Sequence, residues 1–398
     1  MKNKSALSLI FLTVFIDLLG FGILIPILPS FAVKELGVDE AAIGIAIALY
    51  SFVQFIFNPI LGKYSDKHGR KPVIVLCLFI NALGYIIFAF TSNYPVLLIS
   101  RVVAGIGGSS ISVAQAYIAD VTTKETRSKG MGLIGAAFGL GFVFGPLIGG
   151  FLAEYGYMVT GLVAGGFSLI AFTVTTIFLP ESLKKTEETI SENQISKRKL
   201  IDFNALKKVF SEPSRAIFIV LFFILIFSFA NIYGTFALLG IQVYGFTDLQ
   251  NGYLFGITGL VSAIVQGGLI GHIDKMMTKK SILKIGSLII SVSLALIPYG
   301  GNFLGLALIS GFLSIGTGML QPTLLSLISD VTPEHEQGVT LGANQSLSAL
   351  ARVMGPLWGG FAFEFLGYPF PFLTGAAFMF VVFIFTMFYI PKKINLTH

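Results

Sequence analysis

The chain is poor in charge and nearly without cysteine. Of 398 residues, 12% are charged, about half the roughly 25% of an ordinary soluble domain. With mean hydropathy at +0.86, so few charges do not cover a globule of this length in water. Soluble enzymes, disordered chains and nucleic-acid binders are thereby excluded, and the net charge of +6 reports loop orientation. The single cysteine, Cys77, sits inside an apolar run, so there is no intramolecular disulfide and no thiolate metal site. His68, His272, His335 and His398 stand far apart without ligand spacing, so neither metal nor cofactor is expected. No apolar run gathers His, Asp and Ser into a catalytic cluster, which argues against an enzyme.

What is present is long apolar sequence, with 45 glycines and 39 phenylalanines. Several runs exceed the ~20 residues that cross a hydrocarbon core. They are continuous rather than alternating, which favours helices over a β-barrel. Polar punctuation predicts twelve spans, near 7–31, 42–61, 72–91, 96–119, 131–153, 158–179, 216–241, 251–271, 282–300, 303–328, 341–364 and 370–390. The first reads as a span and not a cleavable signal peptide, because it is long, carries Asp17 and lacks a small-residue cleavage site. Of 26 basic residues, all but Lys34, Arg101 and Arg352 fall on one side of this map, together with both termini. By the positive-inside rule that side is the cytoplasm of an inner (plasma) membrane.

The expected fold class is an all-α membrane protein of twelve transmembrane helices in two pseudo-symmetric six-helix bundles. The bundles are residues 1–180 and 215–398, joined by a cytoplasmic linker at 181–214. Around Phe203–Phe210 the linker suits an amphipathic helix lying on the membrane face. The halves repeat at an offset of 210 residues: Leu98-Ile99-Ser100 with Leu308-Ile309-Ser310, Asp120-Val121-Thr122 with Asp330-Val331-Thr332, Gly145-Pro146 and Gly149-Gly150 with Gly355-Pro356 and Gly359-Gly360, Glu154 with Glu364. Two parallel repeats facing each other imply a transporter with its site near the midplane between them.

Four stretches carry the chemistry. The loop after span 2 sets Gly62, Asp66, Gly69 and Arg70 in a tight, charge-dense turn. Span 5 carries Gly132, Gly141, Gly145-Pro146 and Gly149-Gly150, small residues expected largely on one face for close packing. Span 1 carries Asp17 before Gly20, Gly22, Pro26 and Pro29. About ten residues into the span, or ~15 Å, that carboxylate lies near the midplane, where it is costly unless paired, protonated or facing water. It either couples to protons or substrate or caps a kinked helix. Span 4 carries Arg101 with Gly105 and Gly107; span 11 carries Arg352, which either lines the cavity and attracts anions or pairs with an acid.

Over nearly its whole length the chain resembles the major facilitator superfamily. It is most similar to the twelve-helix drug:proton antiporters, and among them to the tetracycline efflux proteins. The resemblance implies that Gly62, Asp66, Gly69 and Arg70 form a cytoplasmic gate with Asp120 and Arg127, and that the counterpart loop around Gly271, Asp274, Lys279 and Lys280 is degenerate. It implies an antiporter motif at Gly132, Gly141, Gly145, Pro146, Gly149 and Gly150, a close helix seam on which the halves rock. It places Arg101 near a proton path with Asp17 as the proton carrier. It implies a cavity lined by Gln54, Asn58, Gln115, Tyr117, Asn231, Tyr233, Gln266, Gln321, Asn344, Gln345 and Arg352.

The chain departs from that pattern in its acids. Gly84 stands before Tyr85 where the tetracycline proteins carry an acid, and span 9 has none. Asn231, Gly318 and Gln321 occupy regions that are acidic in cation-extruding relatives. One acid against two arginines favours a neutral, zwitterionic or anionic amphiphile. The expected protein is a monomeric secondary transporter working by alternating access. It would export a small-molecule substrate of drug or multidrug type in exchange for protons, with the lipid bilayer as its other partner. The rival reading is a facilitator or proton symporter for a nutrient or metabolite.

Overall fold

A computed structural model of the chain describes residues 2–183, 209–333 and 336–389. The described residues are helical rods joined by short turns. Eleven rods are long and apolar enough to cross a membrane: Ala6–Lys34, Glu40–His68, Arg70–Ala89, Tyr94–Val121, Gly130–Ala153, Tyr157–Phe178, Pro213–Val243, Asp248–Met276, Lys279–Tyr299, Phe303–Asp330 and Phe370–Phe388. The twelfth, Gln337–Phe365, is as long but less apolar, and it packs among them. In chain order these are spans 1 to 12, with Gln337–Phe365 as span 11. Most of the expected linker, including nearly all of the Phe203–Phe210 segment, lies outside the described residues.

Caps fix where the rods begin, and they repeat between halves. Asp39 accepts from the Ala42 amide at 2.8 Å, and Thr247 accepts from Gln250 at 3.2 Å. Asn93 accepts from Val96 at 3.1 Å, and Asn302 accepts from Gly305 at 2.9 Å. Each satisfies an orphan amide of a first turn, worth about 1 kcal/mol. Three rods are interrupted. Span 4 divides into Tyr94–Gly107 and Ser110–Val121 at its run of glycines and serines. Span 7 breaks at Asn231 and widens into a π-turn at Leu239–Val243, and span 8 widens at Val265–Leu269. Such irregularities inside helices are frequent at functional sites.

Lipid tails are as apolar as Leu, so van der Waals packing between small residues holds these helices together. Span 5 packs on spans 1 and 8; span 11 packs on spans 7 and 2. The span 5 motif therefore serves two faces, not one. Gly141, Gly145 and Gly149 face Leu18, Gly22 and Ile23 of span 1, whereas the Pro146 carbonyl and Gly150 face Gly252 of span 8. The second half repeats the scheme: Gly355 and Gly359 face Ala230 and Asn231 of span 7, while the Pro356 carbonyl and Gly360 face Gly44 of span 2. A side chain at Gly252 would put its Cβ 2.6 Å from the Pro146 carbonyl, so only glycine allows this approach.

The two seams close at one end only. From Gly139 to Gly150, span 5 stays against span 8. Nearer the basic loops, Gly62, Gly132, Gly135, Gly267, Gly268, Gly271 and Gly342 have no neighbour that a Cβ would meet. The end of span 8 there, Ile270–Met276, has no buried residue. Among the described residues, the close glycine contacts between the halves lie toward the end away from the basic loops, and none lies at the basic end.

Candidate functional site

Asp17 is buried, and its carboxylate is held by neutral donors from three helices. Asn81 of span 3 donates to Oδ1 at 2.7 Å, Ser110 of span 4 to Oδ2 at 2.9 Å, and Ser168 of span 6 to Oδ1 at 3.4 Å. The break in span 4 begins its second segment at Ser110. The site thus lies inside the first half, and no cation pairs with it among the described ion pairs. Sequence reasoning passed over Asn81, Ser110 and Ser168; a polar Asn81 within an apolar run was the available signal.

Arg101 is buried too. Its Nε donates to Ser100 at 3.2 Å, its guanidinium stands 5.4 Å from the Phe88 ring centroid, and Nη2 has no partner. Desolvation of an arginine without a carboxylate is expensive, and ring contact offsets only part of it. Tyr50 of span 2 links the charges, lying within electrostatic reach of Asp17, Arg101 and Arg352. It stacks on Phe21 at 5.2 Å and accepts from Gln54 at 3.2 Å.

Arg352 differs from both. It is half-buried, and its guanidinium takes part in no hydrogen bond or ion pair with the described residues. It precedes Pro356 by one turn of span 11, and the Pro356 carbonyl packs on Gly44 of span 2. Tyr233 and Tyr50 lie within electrostatic reach of its charge.

The remaining cavity expectations divide. Gln54, Asn58, Gln115, Tyr233 and Gln321 are half-buried, and Gln266 and Gln345 are exposed. Gln54 also donates to the Gly108 carbonyl at 2.9 Å, and Gln266 to Ser262 at 2.9 Å. Tyr117, Asn231 and Asn344 are fully buried instead. Tyr117 spends its hydroxyl on the Pro180 carbonyl at 2.9 Å. Asn231 sits at the span 7 break, donates to the Pro371 carbonyl and receives Gly355 and Gly359 against its backbone. Tyr117 and Asn231 are thus engaged in helix packing, and the Asn344 amide oxygen is buried without a partner among the described residues.

The gate residues meet, but within one half. Arg70 pairs with Asp66 at 2.6 Å and Asp120 at 3.0 Å and donates to Ser65 at 2.7 Å and to the Gly62 carbonyl at 3.4 Å. Gly69 turns with φ +104°, and Glu181 accepts from the Arg70 and Lys71 amides at the next helix start. The Arg127 side chain lies outside the described residues. In the counterpart loop Lys279 pairs with Asp330, as Arg70 pairs with Asp120.

A polar cluster at the sealed end was missed altogether. Asp248, at the start of span 8, accepts from Ser30, from Lys34 at 3.0 Å and from Tyr157 at 2.9 Å. On the other seam Glu364 accepts from the Ala41 amide at 2.9 Å, and Gln242 donates to Glu40 at 2.7 Å. All five contacts join one half to the other. Gly84, where an acid was sought, is packed so that a Cβ would lie 2.6 Å from the Ala104 amide nitrogen. No side chain fits there in this packing.

A family model described as Major Facilitator Superfamily matches residues 10–356, and again 273–395. The chain is 31% identical to Multidrug resistance protein 1 of Bacillus subtilis (strain 168), covering 94% of each chain. It is 31% identical to the Tetracycline resistance protein, class E, of Escherichia coli, over 88% of this chain and 86% of that one. Among solved structures it resembles the human organic anion transporter MFSD10 (TETRAN), with TM-score 0.71 and 25% identity over 97% of this chain and 100% of the other.

Proposed function

Because the chain belongs to the major facilitator superfamily, we propose that this membrane transporter exports small amphiphilic compounds of drug type in exchange for protons. It works by alternating access, with residues 1–180 and 215–398 rocking about the glycine seams. The observation that carries this reading is the one-sided closure: glycine seams and five polar contacts shut one end, and among the described residues no such glycine contact joins the halves at the basic end. With the basic end cytoplasmic, the protein is an inner (plasma) membrane monomer in an inward-facing state, both termini inside. The multidrug and tetracycline resistance names of its relatives support drug-type cargo.

Asp17 is the proton carrier in this scheme. Its neutral donors stabilise the carboxylate without neutralising it. A proton entering across 100 mV supplies about 2.3 kcal/mol, roughly fiftyfold in substrate gradient before any pH difference. The test is flux of ethidium or tetracycline in proteoliposomes with an imposed pH gradient. Wild type accumulates drug against its gradient, and Asp17→Asn keeps counterflow but loses accumulation. Accumulation unchanged in Asp17→Asn removes the proton role; flux that never follows the pH gradient in wild type leaves a facilitator.

A further inference from the structure

We infer that Arg352 and the aromatic side chains near it form a binding subsite for aromatic organic anions, with Arg352 as its anion-recognising residue. This deepens the export reading and rests on it for the cargo's route, but not for the chemistry of the site. Arg352 stands about fifteen residues into span 11, near the middle of a 29-residue helix. A guanidinium at that depth ordinarily pairs with a carboxylate, a carbonyl or water in a cavity. Asp17, the acid at comparable depth, is occupied by Asn81, Ser110 and Ser168 inside the first half. Arg101 brings a second positive charge near Tyr50 and lacks a carboxylate as well.

Aromatic rings pack on Tyr50 and Tyr233, the two tyrosines within electrostatic reach of Arg352. Phe21 stacks on Tyr50 at 5.2 Å and meets Phe142 edge-on at 6.0 Å; Phe229 meets Tyr233 edge-on at 5.3 Å. Except for Tyr50, which is buried, these rings are half-buried and not sunk in the core. They come from spans 1, 2, 5 and 7, and so from both halves. A planar guanidinium offers bidentate donors to a carboxylate or sulfonate, and the rings offer faces and edges to an aromatic body. A cation placed there would meet two arginines and no free acid among the described residues. An anion would meet their field and the Tyr233 and Tyr50 hydroxyls.

The experiment measures equilibrium binding to full-length protein in phosphatidylcholine nanodiscs, with no gradient, so it is independent of whether export is observed. Calorimetry compares 2-naphthoate, 2-naphthamide and 2-naphthylmethylammonium, which share one ring system and differ in charge. Wild type is expected to bind the acid at least tenfold tighter than the amide, and the ammonium most weakly. Arg352→Gln removes the preference of acid over amide. Should that variant not fold, Arg352→Lys carries the test: a point charge without the planar fork lowers the ratio at least threefold. Ammonium binding as tight as the acid, no heat from the acid, or an acid-to-amide ratio unchanged in the folded variant overturns the assignment. Failure of gradient-driven flux alone overturns the export reading and leaves the subsite standing.

Discussion

Asp248→Asn is expected to open the sealed end. Asp248 belongs to span 8, and its three donors, Ser30, Lys34 and Tyr157, belong to spans 1 and 6, so every one of these bonds must break when the halves part there. The Lys34 side chain is 40% exposed, which holds its pair to the surface scale of about 0.5 kcal/mol. Ser30 donates to Oδ1 and Tyr157 to Oδ2, so an asparagine keeps an acceptor for only one of them, which loses charge assistance of about 0.5 kcal/mol, while the other hydroxyl loses its acceptor, about 1 kcal/mol. The sum is about 2 kcal/mol. Because the contacts exist only in the closed state, the loss falls entirely on that state. At 1.4 kcal/mol per tenfold, the open-to-closed ratio at this end rises about thirtyfold. Spin labels at Tyr155→Cys and Leu366→Cys, both on exposed turns of opposite halves, report the opening by double electron–electron resonance. Cys77→Ser removes the one native thiol, which is buried. A long-distance population that does not grow in Asp248→Asn refutes the reasoning, as does equal growth in Asp66→Asn at the opposite end.

Gly44→Val should block the closed seam outright, because its Cβ overlaps the Pro356 carbonyl; the same spin labels then show only the open distance, and transport is lost while the protein still elutes as a folded species. Gly84→Glu, which restores the acid of the tetracycline proteins, should cost about 3 kcal/mol or more through overpacking against Ala104 and an unpaired charge, read as a large fall in Tm. Arg70→Ala leaves Asp66 and Asp120 facing each other without their shared cation; a loss of about 2 kcal/mol is expected, with partial recovery in the Arg70→Ala/Asp120→Asn double variant. Asn81→Leu removes the shortest donor to Asp17; gradient-driven accumulation should fall while counterflow persists.

Spans, sidedness of charge and the repeat were legible because each is a property of one helix or of spacing along the chain. Asp17, Arg101 and Arg352 were legible because a charge at mid-span has few inexpensive positions. What could not be read was who meets whom. Helical period gives the face of a residue but not the partner of that face. Asn81, Ser110 and Ser168 converge on Asp17 from three different spans, at separations of 64, 93 and 151 residues. Tyr117 and Asn231 looked like cavity polar groups and are instead hydrogen-bonded within the packing, since a hydroxyl or amide inside a bundle serves either purpose at the same depth. Asp248 stands at a helix start, and only the fold places Lys34 and Tyr157 over it.

The repeat also separates the moving parts from the binding parts. Where the offset of 210 holds, the seams are built twice: Gly145, Pro146, Gly149 and Gly150 answer to Gly355, Pro356, Gly359 and Gly360, and Asp120 answers to Asp330. Two copies of one hinge allow rocking about the pseudo-symmetry axis with like contacts made and broken on both sides. The arginines break that symmetry. Arg352 corresponds to Phe142, and Arg101 to Gly311. A charge placed in one half alone contributes nothing to the hinge and gives the cavity a direction, with a guanidinium on the span 11 wall and an aromatic ring on the span 5 wall. An amphiphile with one charged end and one flat end fits such a cavity in a single orientation. On this reasoning exchange of the pair, Phe142→Arg with Arg352→Phe, leaves the seams and the rocking intact and keeps the preference for acids. Arg352→Phe alone abolishes it. If the exchanged protein has lost the preference while its spin-label distances match wild type, charge at this subsite is not what selects the cargo.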